Sequence, residues 1–181
     1  MLRAAGSRNL KRLLDATYED SRLRKSDHHG EGHWRRVALG GLDICTKTPG
    51  ADPFIAVLFG LLHDARRMDE DIDLEHGERA TLLIDQLSSK GNLDLTEIQL
   101  ASLRGACSGH SHGGVAALDL TVAACWDADR CELRRGNTER DHSLLTLAAP
   151  FVGEVDAYID GHPTAPGWGE LLDLAVRVQG P

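Results

Sequence analysis

The sequence predicts an all-α protein, a single compact helical bundle. Three observations lead there. Apolar residues recur at three- and four-residue spacing along most of the chain. Period-two alternation and Asn-Gly turns, the marks of strands and hairpins, are almost absent. The 181 residues suffice for one domain with a sizeable core, and no repeat or low-complexity linker divides them.

The elements follow in order. The opening MLRAAGSRNLKRLL is basic but lacks the long apolar centre of a secretory signal. It reads instead as part of an amphipathic helix over 8–24, with Leu10, Leu13, Leu14 and Tyr18 on one face. A second helix is predicted over 31–47, carrying Val37, Leu39, Leu42 and Ile44. Pro49 and Pro53 bracket a turn, and Pro53 suits the first turn of a helix over 53–67 that is apolar all round. Asp73 is placed to cap a helix over 74–89, with Ala80, Leu83, Ile84 and Leu87 inward. Thr96 with Gln99 forms a capping-box pattern for a helix over 97–108. Leu118, Val122, Cys125, Trp126 and Leu133 define the inner stripe of a helix over 115–135, stopped by Gly136-Asn137. A short helix near 141–149, a loop over 161–167 and a last helix over 168–178 complete the chain.

Composition narrows the function. The net charge of −8 argues against a nucleic-acid polymer as main partner, since binding one needs a basic face. A small phosphorylated ligand needs only a few local cations and stays open. The longest apolar run, 54–62, is too short to span a bilayer. Cys45, Cys107, Cys125 and Cys131 form no C-x-x-C pair, so reduced thiols in a cytoplasmic protein are expected.

Nine histidines are many for this length, and seven lie between 28 and 112. That clustering directs attention to a site. The apolar 53–67 segment ends on the adjacent pair His63-Asp64, which is costly to bury without a partner. His33 falls in the first turn of its helix, with His29 one turn earlier. His76 shares a stripe with Ala80, Leu83 and Leu87, and His110 follows the 97–108 helix. Asp129 lies on the inner stripe of its helix, whereas Asp127 points about 200° away from it, given 3.6 residues per turn. Only one of the two can face the core, and phase favours Asp129. A lone core histidine is usually just hydrogen-bonded. Here several helices each offer a ligand-type residue at a core face or an end. Imidazole with carboxylate suits Mn, Fe, Co, Ni or Zn rather than Ca.

The order His33, His63-Asp64, Asp129 resembles the H…HD…D signature of the HD-domain metal-dependent phosphohydrolase superfamily. Its contexts are HWRRVA, LLHDARR and DADRCEL, and the resemblance covers residues 28–135. It implies a metal-binding core over that range, an ion held by His33, His63, Asp64 and Asp129 at the bundle's centre, and a C-terminal helical extension over 136–181. In some relatives two further histidines hold a second metal, with the HD aspartate bridging. His76 and His110 are candidates for those roles, or for contacts to phosphate or to a metal-held water. The chain departs from two branches. It lacks the G-Y-P signature of the cyclic-dinucleotide phosphodiesterases. It also carries Arg67 and Met68 where the guanosine-tetraphosphate hydrolases carry an acidic pair.

The implied activity is hydrolysis of a small phosphate ester, a nucleotide among the options, by water activated at one or two divalent transition-metal ions. Asp64 is the candidate catalytic group. Arg66, Arg67, His29 and His112 are candidates for binding the phosphate. For the two arginines, salt bridges to Asp69, Glu70 or Asp71 are an equal alternative. Three rival readings stay open: a mixed-valent di-iron oxygenase of the same fold, a non-catalytic sensory or interaction module, and purely structural histidines.

Overall fold

The computed structural model describes residues 6–112, 114–115, 118–136 and 139–179. Among them it is all helical, with eight α-helices: α1 (Gly6–Tyr18), α2 (Glu31–Lys47), α3 (Pro53–Leu62), α4 (His76–Ser89), α5 (Glu97–Gly109), α6 (Leu120–Glu132), α7 (Val152–Asp160) and α8 (Trp168–Val178). The first five residues of the basic N-terminal segment lie outside the described residues.

The centre of the bundle is α3. Asp52 caps it by accepting from the Phe54 and Ile55 amides at 2.9 and 3.4 Å, and Pro53 opens it. Every residue from Pro53 to Leu62 is buried, as an all-round apolar helix requires. Burying side chains such as Leu58 and Phe59 stabilises the fold by roughly 1.5–3 kcal/mol each. Around α3 pack α2, α4, α5, α6 and α8. The C-terminal helices are part of this core. α7 packs on α2, and α8 on α2 and α3, burying Val155, Ile159, Trp168, Leu171 and Ala175.

Several boundaries differ from the sequence expectation. α1 stops at Tyr18 rather than 24, and turns carry the chain to α2. α3 stops at Leu62, so His63 to Arg66 lie in a turn rather than on the helix. Asp73 does not cap α4; its carboxylate binds the Met68 amide and Arg79, and its carbonyl accepts from the His76 amide. The Thr96–Gln99 capping box is present on α5. The 115–135 helix is shorter, because Asp119 caps it at the Thr121 and Val122 amides, and Leu118 before it is fully exposed. Leu133 to Gly136 continue as a 3-10 turn, and Asn137 lies outside the described residues. The helix near 141–149 is two 3-10 turns, His142–Leu144 and Ala149–Phe151, followed by α7, which the sequence pattern did not predict.

All four cysteines are buried free thiols, and burial pushes Cys45 and Cys131 up to about 12. No described helix is long and apolar enough to cross a membrane.

Candidate metal centre

Two close helix approaches build the site. A Cβ at Gly60 of α3 would sit 2.7 Å from the Ala38 Cβ, the Ala38 nitrogen and the Trp34 carbonyl oxygen of α2. Glycine therefore lets α3 lie against α2, and that contact brings His63, one turn after Gly60, beside His33. At Gly77 a Cβ would overlap the Cys107 carbonyl oxygen. The start of α4 can thus abut the end of α5, and His76 meets His110. Asp129 of α6 reaches both histidines of the first pair, its Oδ1 3.4 Å from His33 Nε2 and 3.7 Å from His63 Nε2.

Six side chains converge as a result. His33 Nε2 lies 3.2 Å from His63 Nε2 and 3.4 Å from Asp129 Oδ1. Asp64 Oδ2 lies 3.8 Å from both of these histidines. The other oxygen of Asp64, Oδ1, faces the second pair, 3.2 Å from His76 Nε2 and 3.9 Å from His110 Nε2. His76 and His110 present their Nε2 atoms to each other at 2.7 Å. One carboxylate therefore stands between two histidine pairs with one oxygen toward each. The groups His33-His63-Asp64, His63-His110-Asp129 and Asp64-His76-His110 each have a geometry able to hold a metal ion.

The hydrogen-bond pattern shows why these rings fit a cation. His63 Nδ1 contacts the Phe59 and Gly60 carbonyls at 3.1 Å each, and His110 Nδ1 contacts the Cys107 carbonyl at 2.7 Å. His76 Nδ1 contacts the Asp73 carbonyl. A carbonyl can only accept, so these contacts assign the ring proton to Nδ1. The Nε2 lone pairs of the neutral rings are then aimed at one another at 2.7 Å in the second pair. Such a contact is repulsive unless a proton or a metal ion lies between, and ligand histidines characteristically donate Nδ1–H in this way.

The charges are strongly coupled. Burial favours a neutral His33, but Asp129 and Glu132 outweigh it and raise the ring to about 9. Burial dominates at His63 and lowers it to about 4. Burial would raise Asp64 and Asp129, yet the surrounding imidazoles hold both carboxyls below the usual range.

A cavity of about 590 Å³ opens onto the cluster. His29 and Arg67 line it. His29 Nδ1 lies 3.1 Å from Asp64 Oδ2, and Trp34 Nε1 donates to the His29 carbonyl at 2.7 Å. Arg67 donates from Nε and Nη2 to the Asp69 and Asp71 carbonyls at 3.0 and 2.6 Å. This fixes Nη1 3.8 Å from Asp64 Oδ1. The acidic neighbours thus engage Arg67 through their backbone rather than through carboxylate salt bridges.

Two of the candidate phosphate-binding residues lie away from the cavity. Arg66 turns away from the cavity and donates to the Thr17 and Ala16 carbonyls, at 2.9 and 3.4 Å, at the C-terminal end of α1. The chain has already left the helix there, so consecutive arginines diverge. His112 is exposed and does not line the cavity.

Two carboxylates were missed. Asp127 is fully buried, not solvent-facing, and accepts from the Thr146, Leu147 and Ala148 amides at 3.0, 2.6 and 2.8 Å. It ties the 139–148 segment to α6, and Leu144 of that segment walls the cavity. Both faces of α6 are covered, so the choice of one core face for this helix was too narrow. Glu132 is also buried, paired with Arg36 Nε at 2.5 Å. Its spacing of three from Asp129 was the available signal.

No protein-family model, curated protein or solved structure matches this chain.

Proposed function

We propose that the chain is an HD-type metal-dependent phosphohydrolase acting on a small phosphate ester, with two divalent transition-metal ions as resident cofactors. The observation that carries this reading is the Asp64 carboxylate with one oxygen toward each histidine pair. His33, His63, Asp64 and Asp129 would hold one ion, and His76, His110 and Asp64 the other. Bound there, such ions supply Lewis acidity toward a phosphoryl oxygen and an acidified water near neutral pH.

The chain's own residues would do the rest. Asp64 lies between the pairs and would share its two oxygens between the two ions. Arg67, braced by two loop carbonyls, keeps Nη1 at the cavity edge beside Asp64, where a guanidinium can bind phosphate oxygens and offset charge developing on them. His29 flanks the same carboxylate and offers a further polar contact at the mouth. Among the described lining residues none is a Phe, Tyr or Trp, so the leaving group would be held by polar contacts rather than by stacking on an aromatic ring.

A second reading, a di-iron oxygenase, is favoured by the complete set of four histidines and two aspartates. One experiment separates the two. Metal-stripped protein is resupplied with Mn, Co, Ni, Fe or Zn and offered nucleotides and small phosphate esters, with Asp64→Ala in parallel and oxygen uptake recorded. Phosphate release by the wild type alone is expected. Iron-dependent oxygen uptake with no phosphate release would replace the hydrolase reading by the oxygenase one.

A further inference from the structure

Three of the four clustered histidines have Nδ1 on backbone carbonyl oxygens: His63 on Phe59 and Gly60, His76 on Asp73, His110 on Cys107. Those acceptors are intrinsic to the fold and no side-chain substitution deletes them. His33 differs. Among the described residues no backbone carbonyl accepts from its Nδ1, which faces the Glu132 carboxylate, Oε1 at 3.9 Å. Glu132 is 2% exposed on its side chain and is itself held by Arg36 Nε at 2.5 Å. The register is regular. Arg36 follows His33 by three residues on α2, and Glu132 follows Asp129 by three on α6. The two helices therefore carry a His33–Asp129 rung and, one turn along, an Arg36–Glu132 rung, with Glu132 reaching diagonally back to His33.

We propose that Glu132 is a positioning residue for His33: its carboxylate, braced by Arg36, fixes the ring's tautomer and orientation and so sets the affinity of the His33-His63-Asp64-Asp129 ion site independently of the His76-His110 site. This rests on the two-ion reading above. A carboxylate behind a ligand imidazole keeps the proton on Nδ1, leaves Nε2 free as the donor atom and makes it more basic. A backbone carbonyl does the first two but bears no full charge. The first site therefore has a replaceable carboxylate brace; at the second, the charged group on an Nδ1 among the described residues is Arg67 Nη1, 3.4 Å from His76, which cannot accept the ring proton.

The test is cobalt titration of the metal-free full chain, followed by calorimetry and by the visible Co(II) absorption, for wild type, Glu132→Gln and Arg36→Gln. Wild type should take up two ions. Glu132→Gln should weaken one binding step by about 10- to 100-fold and alter its absorption, with the other step unchanged. Arg36→Gln removes the ion pair but keeps the carboxylate on His33, so it should lower thermal stability without matching that loss of affinity. Unchanged steps in Glu132→Gln would overturn the proposal, as would a loss of affinity spread equally over both steps. A wild type that binds no cobalt would sink the metal reading itself, a result distinct from either. Should Glu132→Gln not fold, nitrogen-15 NMR of the zinc-loaded wild type decides. His33 should carry its proton on Nδ1 with the strong downfield shift of a carboxylate partner, and a zinc-bound Nδ1 would refute the proposal.

Discussion

Replacing Gly60 by alanine tests how the site is built. The added Cβ would stand 2.7 Å from three atoms of α2, two of them backbone and the third a Cβ, and none can rotate away. Ordinary contact begins near 3.4 Å, so α3 must withdraw from α2 by about 0.7 Å. Overpacking of this kind costs about 1–3 kcal/mol. For a chain of this size that lowers Tm by about 2–12 °C. The functional effect is larger than the stability effect. Metal–ligand distances tolerate only about 0.2 Å, and His63 moves with α3 while His33 stays on α2. Gly60→Ala should therefore lose affinity at the His33-His63 site by tenfold or more, read by metal titration beside a thermal melt of the metal-free protein. Gly153→Ala is the control. Nothing lies within 4 Å of its Cβ, and alanine inside α7 should leave stability unchanged or raise it by up to about 1 kcal/mol. A Gly60→Ala protein that melts within a degree of wild type and binds metal equally well would refute the close-approach argument.

Four further outcomes are expected. Metal binding at pH 7 should release protons, because His33, facing Asp129, Glu132 and Asp64, is raised to about 9 and must deprotonate to ligate. His63, lowered to about 4, is already neutral there. A folded-state pKa above the unfolded one stabilises the metal-free fold fully below about 6.5, and that gain is lost as pH rises through 9. Affinity should accordingly climb from pH 7 to 9, and calorimetry in buffers of different ionisation enthalpy measures the released protons. Arg66→Ala should cost about 1–3 kcal/mol in denaturant melts and leave bound metal unchanged, since its partners are carbonyls of α1. On the proposed hydrolase reading, Arg67→Ala should lower phosphate release by roughly tenfold or more at unchanged metal content. Asp127→Asn should destabilise by about 1–3 kcal/mol and raise protease sensitivity in the 139–148 segment, whose three amides it holds.

What the sequence made legible was what depends on helical phase within one element. α2 and α8 have the predicted ends, and the capping box on α5 is present. The six ligand-type residues stood out because each falls at an inward phase or near the end of a predicted helix. Legibility failed where the chain leaves a helix. Phase could not be carried past Leu62, so Arg66 and Arg67 could not be told apart, although one braces α1 and the other lines the cavity. It failed again where distant segments meet. Nothing local to α6 announces that residues 146–148 will deliver three amides to Asp127. The same holds for Glu132, whose role depends on Arg36 and His33 of α2. Gly60 and Gly77 look like ordinary helix glycines until the opposing backbone is seen.

Anomalous diffraction from crystals grown with manganese locates any bound ions outright. Two peaks per chain are expected, one among His33, His63 and Asp129 and one between His76 and His110, with Asp64 contributing one oxygen to each. A single peak, or two peaks that do not share Asp64, would contradict it.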